Sequence, residues 1–409
     1  MDIPDYEPAE LLGAGERRPR VKRFPVGAAA TLTELQGDPH PLLARLRAAE
    51  PVSWLPVLDG WLVTGREPAL EVMRDSVTFT VDDPRFSTGQ VIGPSMLSLD
   101  GREHTRQREP FARSFRPAQT RARFTTFVET EVDRLLSVLR PAGRAELRGD
   151  FAGPLAVAVV AEALGLEGVD AATVRSWYDA FVEAISDITA GRASASSAHR
   201  TAYDLLHARV SAAVASRRPS LLASVAADGL LIDEVVANAA VLMFGGIDTT
   251  EGMIVNTVLH LLRHPDQLAL VRDEPGLLAS AVEESLRLEP AAAIVDRYAT
   301  RDVELAGAEI GRGELVRVSL TGVNRDPSVF PDPDRFDVRR ANASDHVAFA
   351  HGPHFCFGAP LARLETLTAV RGLLDRLPGL HLDPAHSPAP AGLVFRKPPA
   401  VHVLWSRLT

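Results

Sequence analysis

The chain has 409 residues, 46% of them hydrophobic, which is enough for a large buried core. Its net charge is −9 and it has no long basic block, so we do not expect it to bind nucleic acid. A single cysteine excludes an internal disulfide. The longest strongly apolar segment, residues 235–247, is shorter than the roughly 20 residues that span a bilayer, and the N-terminal residues lack the apolar core of a signal peptide. We therefore expect a monomeric cytoplasmic protein that does not bind membranes.

The hydrophobic pattern predicts a mainly α-helical chain with small β-sheets, an α+β fold class. We expect one domain over residues 1–409, in which residues 1–20 are loosely ordered. Short strands are predicted at 52–57 and 61–64, and β-like runs return between 291 and 330. The segments predicted to be helical are residues 41–49, 124–139, 154–164, 172–188, 202–216 and 360–377.

The central helix is predicted to run over residues 233–264, about 48 Å at ~1.5 Å per residue, with Asp233 as N-cap and Pro265 as the stop. Its apolar middle is followed by GGIDTT at 245–250, and each glycine costs about 1 kcal/mol relative to alanine. One interpretation is a packing kink whose polar groups bond locally. The other is an opening for a planar ligand or dioxygen, beside which Asp248 and Thr249 relay protons.

Two further helical segments carry paired charges. Glu284 and Arg287 share a face in an apolar context, so a buried pair would need another donor, for which Arg335 is the candidate. His104 and Arg108 also share a face and could bind an anion together. The alternative for each pair is an ordinary solvated helix surface.

The only cysteine, Cys356, lies in a loop over residues 349–360. Gly352 and Gly358 permit a tight loop, and Pro360 suits the first turn of a following helix. Cys356 would then precede a helix N-terminus, which favours a thiolate. A buried inert cysteine and a Cys/His hydrolase with His354 as base remain alternatives at this point.

Taken together, these motifs resemble the bacterial cytochrome P450 haem-thiolate monooxygenases over about residues 40–405. The loop is similar to the family signature Phe-x-x-Gly-x-His/Arg-x-Cys-x-Gly, although Ala350 and Phe357 replace the common glycine and leucine. The resemblance implies the cytochrome P450 fold, with haem b between the long central helix and the cysteine loop. The implied roles are Cys356 as iron ligand; Phe349 and Gly358 in the signature loop; His104, Arg108, Arg297 and His354 as partners of the haem propionates; Gly245 in the oxygen groove; Asp248 and Thr249 in proton delivery; and Glu284, Arg287 and Arg335 as a structural cluster.

The same resemblance implies a monooxygenase that uses O2 to oxidise, most simply to hydroxylate, a hydrophobic or aromatic small molecule of bacterial secondary metabolism. Electrons should come from a ferredoxin and a ferredoxin reductase, with Arg106 and Arg113 placed to dock an acidic partner. The residues expected to touch substrate are Ile92, Met96, Ala240, Phe244, Ile294, Val394 and Phe395.

Three alternatives stay open within a haem protein. The enzyme could form C–C or C–N bonds without inserting oxygen, it could carry or sense a ligand without turnover, or it could use peroxide. The intact pair of Asp248 and Thr249 favours ordinary oxygenation over these.

Overall fold

The computed structural model describes residues 20–166, 169–189, 197–216 and 220–406. The expectation of a loosely ordered start concerns residues 1–20, of which only Arg20, ion-paired with Glu314, lies within the described ranges. The helices are α1 Pro25–Ala28, α2 Leu32–Gln36, α3 His40–Ala49, α4 Arg66–Arg74, α5 Ser87–Ile92, α6 Gly101–Ser114, α7 Pro117–Leu139, α8 Gly153–Leu164, α9 Ala171–Thr189, α10 Ala198–Ala215, α11 Leu221–Ala227, α12 Ile232–Gly246, α13 Asp248–Arg263, α14 Pro265–Asp273, α15 Leu277–Leu288, α16 Leu320–Val323 and α17 Ala359–Arg376.

Small sheets accompany these helices, as predicted. The strands are β1 Val52–Leu55, β2 Gly60–Val63, β3 Phe79–Thr80, β4 Arg144–Glu146, β5 Ile294–Ala299, β6 Val303–Leu305, β7 Ala308–Ile310, β8 Leu315–Ser319, β9 His381–Leu382 and β10 His402–Leu404. The largest sheet has the order β1-β2-β8-β5-β3, in which β2 and β8 are parallel and the other neighbours antiparallel. It joins the two strand regions that the sequence separates by more than 200 residues.

The central helix differs from its prediction, because it is interrupted at Ile247 (φ −85°, ψ −68°) between α12 and α13. Two successive glycines with low helix propensity precede this residue. The predicted N-cap is also wrong: Leu231 is the N-cap, and its amide donates to Glu234 Oε2 at 2.9 Å. Asp233 instead accepts from His207 at 3.0 Å. Of the residues in the two halves, seven of fifteen in α12 and eleven of sixteen in α13 are buried, so the apolar pattern predicts burial better for α13.

Tight helix packing brings the central helix and the cysteine loop into one core. Gly372 on α17 lies against Val132 on α7, where a Cβ would be 2.7 Å from Val132 Cγ1. Helices α7, α8, α12, α13 and α17 share a single hydrophobic cluster. The core therefore fixes the start of α17, which follows Cys356. Within the described ranges, no helix combines the length and apolar character needed to cross a bilayer.

Candidate active site

The loop that carries Cys356 is held by backbone geometry. The Cys356 amide donates to Phe349 O at 2.9 Å, which closes the loop. Gly352 has φ +72°, and a Cβ there would lie 2.5 Å from Met73 O, so only glycine fits. Ala350 also has positive φ, +60°, where the family signature commonly has glycine. A left-handed conformation costs an alanine about 1 kcal/mol, so the surrounding contacts must hold it.

Opposing effects act on the Cys356 thiol. Burial raises the pKa of this thiol, whereas the amides of Gly358 and Ala359 and the charge of Arg108 lower it. Arg108 donates to Phe355 O, and its guanidinium lies 5.1 Å from the centre of the Phe357 ring. The net effect raises the pKa of the thiol, so the donors of the loop offset the effect of burial only in part.

A largely apolar cavity of about 270 Å³ lies between the interrupted central helix and this loop. The helix contributes Gly245 and Thr249, one turn apart, and the loop contributes Cys356 and Phe357. A Cβ on Gly245 would meet no atom within 4 Å, so this glycine borders open space. The Thr249 hydroxyl donates to Gly245 O at 2.5 Å. A ligand in this cavity would contact the sulfur and this hydroxyl together.

Basic side chains gather at one side of the cavity. The rings of His104 and His354 are tilted by 33° to each other with centroids 4.3 Å apart, and His354 Nε2 lies 2.8 Å from Asp100 Oδ1. His104 Nε2 is buried without a partner. Burial, followed by the charges of His354 and Arg108, lowers the pKa of His104 to about 4. Arg297 is only 4% exposed, and burial lowers its pKa as well. These four predicted residues therefore form a group of donors that a carboxylate would stabilise.

The predicted acid–arginine cluster forms with one correction. Arg287 binds Glu284 through Nε and Nη2 at 2.7 and 2.8 Å, and both side chains are fully buried. The third member is Arg340, whose Nε lies 3.0 Å from Glu284 Oε1, and the prediction of Arg335 was wrong. Arg335 is exposed and contributes only its carbonyl, which accepts from Arg287 at 3.1 Å. Both arginines lie in an irregular loop, where sequence spacing does not fix direction.

Asp248 belongs to a charged group that the sequence analysis did not identify. Its Oδ1 lies 2.5 Å from Lys397 Nζ, and the same nitrogen lies 2.7 Å from Glu251 Oε1. Arg148 Nε lies 2.5 Å from Glu251 Oε1. Burial, then the charge of Asp248 and a hydrogen bond to it, raises the pKa of Tyr178. The one signal in the sequence is that Lys397 is one of only two lysines.

Comparison with known proteins identifies the family. The family model described as cytochrome P450 matches residues 181–399. The cytochrome P450 monooxygenase PikC of Streptomyces venezuelae is 38% identical over 372 residues, covering 86% of this chain and 86% of PikC. The chain belongs to the cytochrome P450 family. It is therefore an oxidoreductase of the P450 monooxygenase class.

Solved P450 structures agree with this assignment. The structure of P450BioI in complex with hexadec-9Z-enoic acid ligated acyl carrier protein has a TM-score of 0.82 and 28% identity, covering 92% of this chain and 100% of that one. CxnD, a cytochrome P450 for C–S bond formation in chuangxinmycin biosynthesis, has a TM-score of 0.81 and 30% identity, with coverages of 92% and 98%. The predicted fold class, mainly helical with small sheets, is confirmed.

Cytochromes P450 bind haem iron through a cysteine thiolate, and this P450's cavity fits such a group. Its only cysteine lines the cavity. Gly245 leaves open space that a side chain would fill. His354 lines the cavity, and the adjacent His104 has an unpartnered Nε2 that can donate to an acidic group. The donor set thus suits an iron ligand at one end and carboxylates at the edge.

The expected substrate residues are mostly placed elsewhere in this P450. Among the described residues, Met96 alone of the seven lines the cavity. Ile294 packs with Leu42 and Leu43, while the adjacent Val295 faces the cavity, because side chains alternate along a strand. Phe244 packs on the rings of α9, with its centroid 6.0 Å from that of Tyr178.

The remaining four expected residues, Ile92, Ala240, Val394 and Phe395, do not line the cavity either. Ile92 and Ala240 are buried in the main core, the Ala293 amide donates to Val394 O, and Phe395 is 38% exposed. The helix face turned to the cavity carries Val241, Gly245 and Thr249, at intervals of four residues. The apolar lining residues that the sequence analysis missed include Val160, Met253 and Leu286.

Proposed function

We propose that this P450 uses O2 to hydroxylate a hydrophobic or aromatic small molecule of bacterial secondary metabolism. The observation that carries the proposal is the cavity, where a largely apolar lining brings the Cys356 sulfur and the Thr249 hydroxyl to one space. An apolar ligand gains free energy from burial there, at roughly 25 cal/mol per Å² of apolar surface. The named relative PikC, a P450 monooxygenase, supports oxygenation.

The residues around the cavity would hold haem b. Cys356 would ligate the iron, and His104, Arg108, Arg297 and His354 would bind the propionates. Phe349 and Gly358 line the same wall, and Gly245 keeps the helix side open. Haem iron with a thiolate ligand supplies the activation of dioxygen.

Protons reach the reacting centre through the chain's own side chains in this proposal. The Thr249 hydroxyl, which lines the cavity, can give up its proton there and take another at Oγ1. Asp248 immediately precedes Thr249 in the helix, and its carboxylate binds Lys397. Its carboxylate can therefore collect a proton from the solvent side and pass it to Thr249.

Electrons would come from a ferredoxin and its reductase, but the predicted docking arginines need correction. Arg106 is bound by Glu103 and Glu234, and Arg113 lies 3.1 Å from Asp228. Their charges are thus compensated within the chain. The surface beside the cysteine loop is a better dock, since Phe355 is 44% exposed there and Arg74 lies next to His351, with Nη2 and Nε2 3.3 Å apart.

Coupling without oxygen insertion is the second candidate, favoured by the likeness to CxnD, which is named for C–S bond formation. Turnover with reductase, ferredoxin and 18O2 separates the candidates by product mass. Hydroxylation adds one labelled oxygen, whereas coupling removes two hydrogens. A substrate that binds and is never converted, with a competent electron supply, would contradict both and indicate a ligand carrier.

A further inference from the structure

We propose that Lys397 and Glu251 are positioning residues for proton delivery, in which one ammonium group is shared between Asp248 and the second, deeper carboxylate of Glu251. This inference rests on the proposed function for its catalytic consequence. Its electrostatic basis is independent of that function, because it depends only on how these side chains are placed.

The shared ammonium group of Lys397 defines the geometry. Its Nζ lies 2.5 Å from Asp248 Oδ1 and 2.7 Å from Glu251 Oε1, so the two carboxylates can be no farther apart than the sum of these distances. Two carboxylates this close resist being ionised together unless a cation lies between them. Lys397 is that cation.

The position of Lys397 is fixed by its surroundings. Gly252 on α13 lies against the stem of the lysine, and a Cβ there would be 3.6 Å from Lys397 Cβ. The backbone of Lys397 exchanges hydrogen bonds with Ala391 at 3.1 and 3.4 Å. The preceding residue, Arg396, is bound to Glu289 at 2.7 Å. The ammonium group is thus held at the helix interruption and not on a free surface tail.

Two arginines complete the group and connect it to solvent. Glu251 is 2% exposed in its side chain, and its partners Arg148 and Arg175 are 32% and 40% exposed. Arg175 Nη1 lies 3.7 Å from Glu251 Oε2. Tyr178 is also close enough to Asp248 for the charge of that carboxylate to raise the pKa of Tyr178, after the larger effect of burial. The charged side chains therefore form a continuous group from the buried helix to the surface. Asp248 lies at the end of this group nearest Thr249.

The chemical consequence concerns the charge on Asp248. While Lys397 is shared, neither carboxylate binds the ammonium group alone, so Asp248 can turn away from Lys397. Glu251 compensates Lys397 when Asp248 turns toward Thr249, which keeps the buried ammonium group paired. Removing either partner should alter how readily Asp248 accepts and passes a proton, although neither side chain touches the substrate cavity.

The experiment compares Lys397→Met, Lys397→Arg and Glu251→Gln in the haem-loaded protein. The first readout is a pH titration by infrared difference spectroscopy, which needs neither substrate nor electron donor. We expect Lys397→Met to gain one further protonated carboxyl band at neutral pH, relative to the wild type and to Lys397→Arg. The band should vanish in Lys397→Met combined with Asp248→Asn. Absence of the band from Lys397→Met overturns the proposal, whatever the activity.

The second readout is the fraction of electrons that end in product, with its solvent isotope effect. We expect that fraction to fall about tenfold in Lys397→Met, less than the loss of a whole proton donor. In Glu251→Gln, Lys397 binds Asp248 alone, so we expect slower proton delivery and a larger isotope effect. Lys397→Arg should restore both values toward the wild type.

Arg396→Met is the matched control, because it removes a buried ion pair one residue away. A purely structural Lys397 predicts the same stability loss and the same unchanged isotope effect in both methionine variants. That result would overturn the proposal. If Lys397→Met does not fold, Glu251→Gln and Lys397→Arg still test the proposal. Equal solvent isotope effects in Glu251→Gln and the wild type would contradict the proposal.

Discussion

Val160 occupies the space that a side chain on Gly246 would need: a Cβ there would lie 2.4 Å from Val160 Cγ2. The adjacent Gly245 borders the open cavity instead. Gly246 is therefore needed for close packing against Val160, whereas Gly245 leaves space in the cavity.

The pair gives a first prediction. Gly246→Ala should destabilise the protein by about 1–3 kcal/mol through overpacking, measured as the free energy of unfolding in urea. Combining it with Val160→Ala should recover part of the loss. Gly245→Ala is the control: it should not reduce stability, because alanine favours helix by about 1 kcal/mol. Equal losses in both single variants would show that the packing account is wrong.

The buried acid–arginine cluster gives a second prediction. Arg340→Gln leaves part of the charge of Glu284 uncompensated in a fully buried position, so we expect a loss of about 3–5 kcal/mol in the free energy of unfolding. The side chain of the exposed Arg335 makes no part of this cluster, and Arg335→Gln should change stability by no more than about 0.5 kcal/mol. Reversal of this order would restore the original assignment of Arg335.

A third prediction concerns acid stability. Burial lowers the pKa of His260 to about 3, although Glu289 opposes this effect. In the unfolded chain the group titrates near its ordinary value of about 6.5. Because the folded pKa is the lower one, the unfolded state binds the extra proton, and stability is lost as the pH falls from about 6.5 to about 3.

Within that pH window, the decrease in the free energy of unfolding caused by His260 should approach ~1.4 kcal/mol per pH unit. The measurement is the free energy of unfolding between pH 7 and pH 4 for the wild type and His260→Asn. We expect a shallower slope in the variant. His381, which is exposed, serves as the control in His381→Asn. Parallel slopes in the wild type and His260→Asn would contradict the buried neutral imidazole.

A fourth prediction tests Thr249. Thr249→Ala should still bind substrate but release reducing equivalents as peroxide, because the proton carrier in the cavity is gone. The measurement is peroxide and product formed per NADPH consumed. Thr257→Ala is a matched control, since Thr257 also donates to the carbonyl four residues back, Met253 O at 2.7 Å, and does not line the cavity. Full coupling in Thr249→Ala would count against its role.

The sequence could predict features that depend on local spacing. The loop residues Cys356 and Gly352, and the helix neighbours Glu284 and Arg287, are close in the chain, and the structure places them as their spacing indicates. Spacing along a single helix or a tight loop fixes direction to within one turn.

Features that depend on packing between distant segments were missed. Lys397 meets Asp248 across 149 residues of chain, and no periodicity indicates that contact. Val295 and Ile294 differ only in which strand face they occupy, and a shift of one residue exchanges the faces. The sequence analysis chose Arg335 where the structure has Arg340 as the partner of Glu284. The path of this loop depends on distant segments that it packs against, and sequence spacing does not reveal them.

The absorption spectrum of the purified protein, reduced and exposed to carbon monoxide, tests the central claim most directly. A strongly red-shifted Soret band of the thiolate type, lost in Cys356→His, is the result we predict. Well-folded protein that binds no haem, or that shows a histidine-type spectrum with Cys356 intact, would contradict the assignment of Cys356 as the iron ligand.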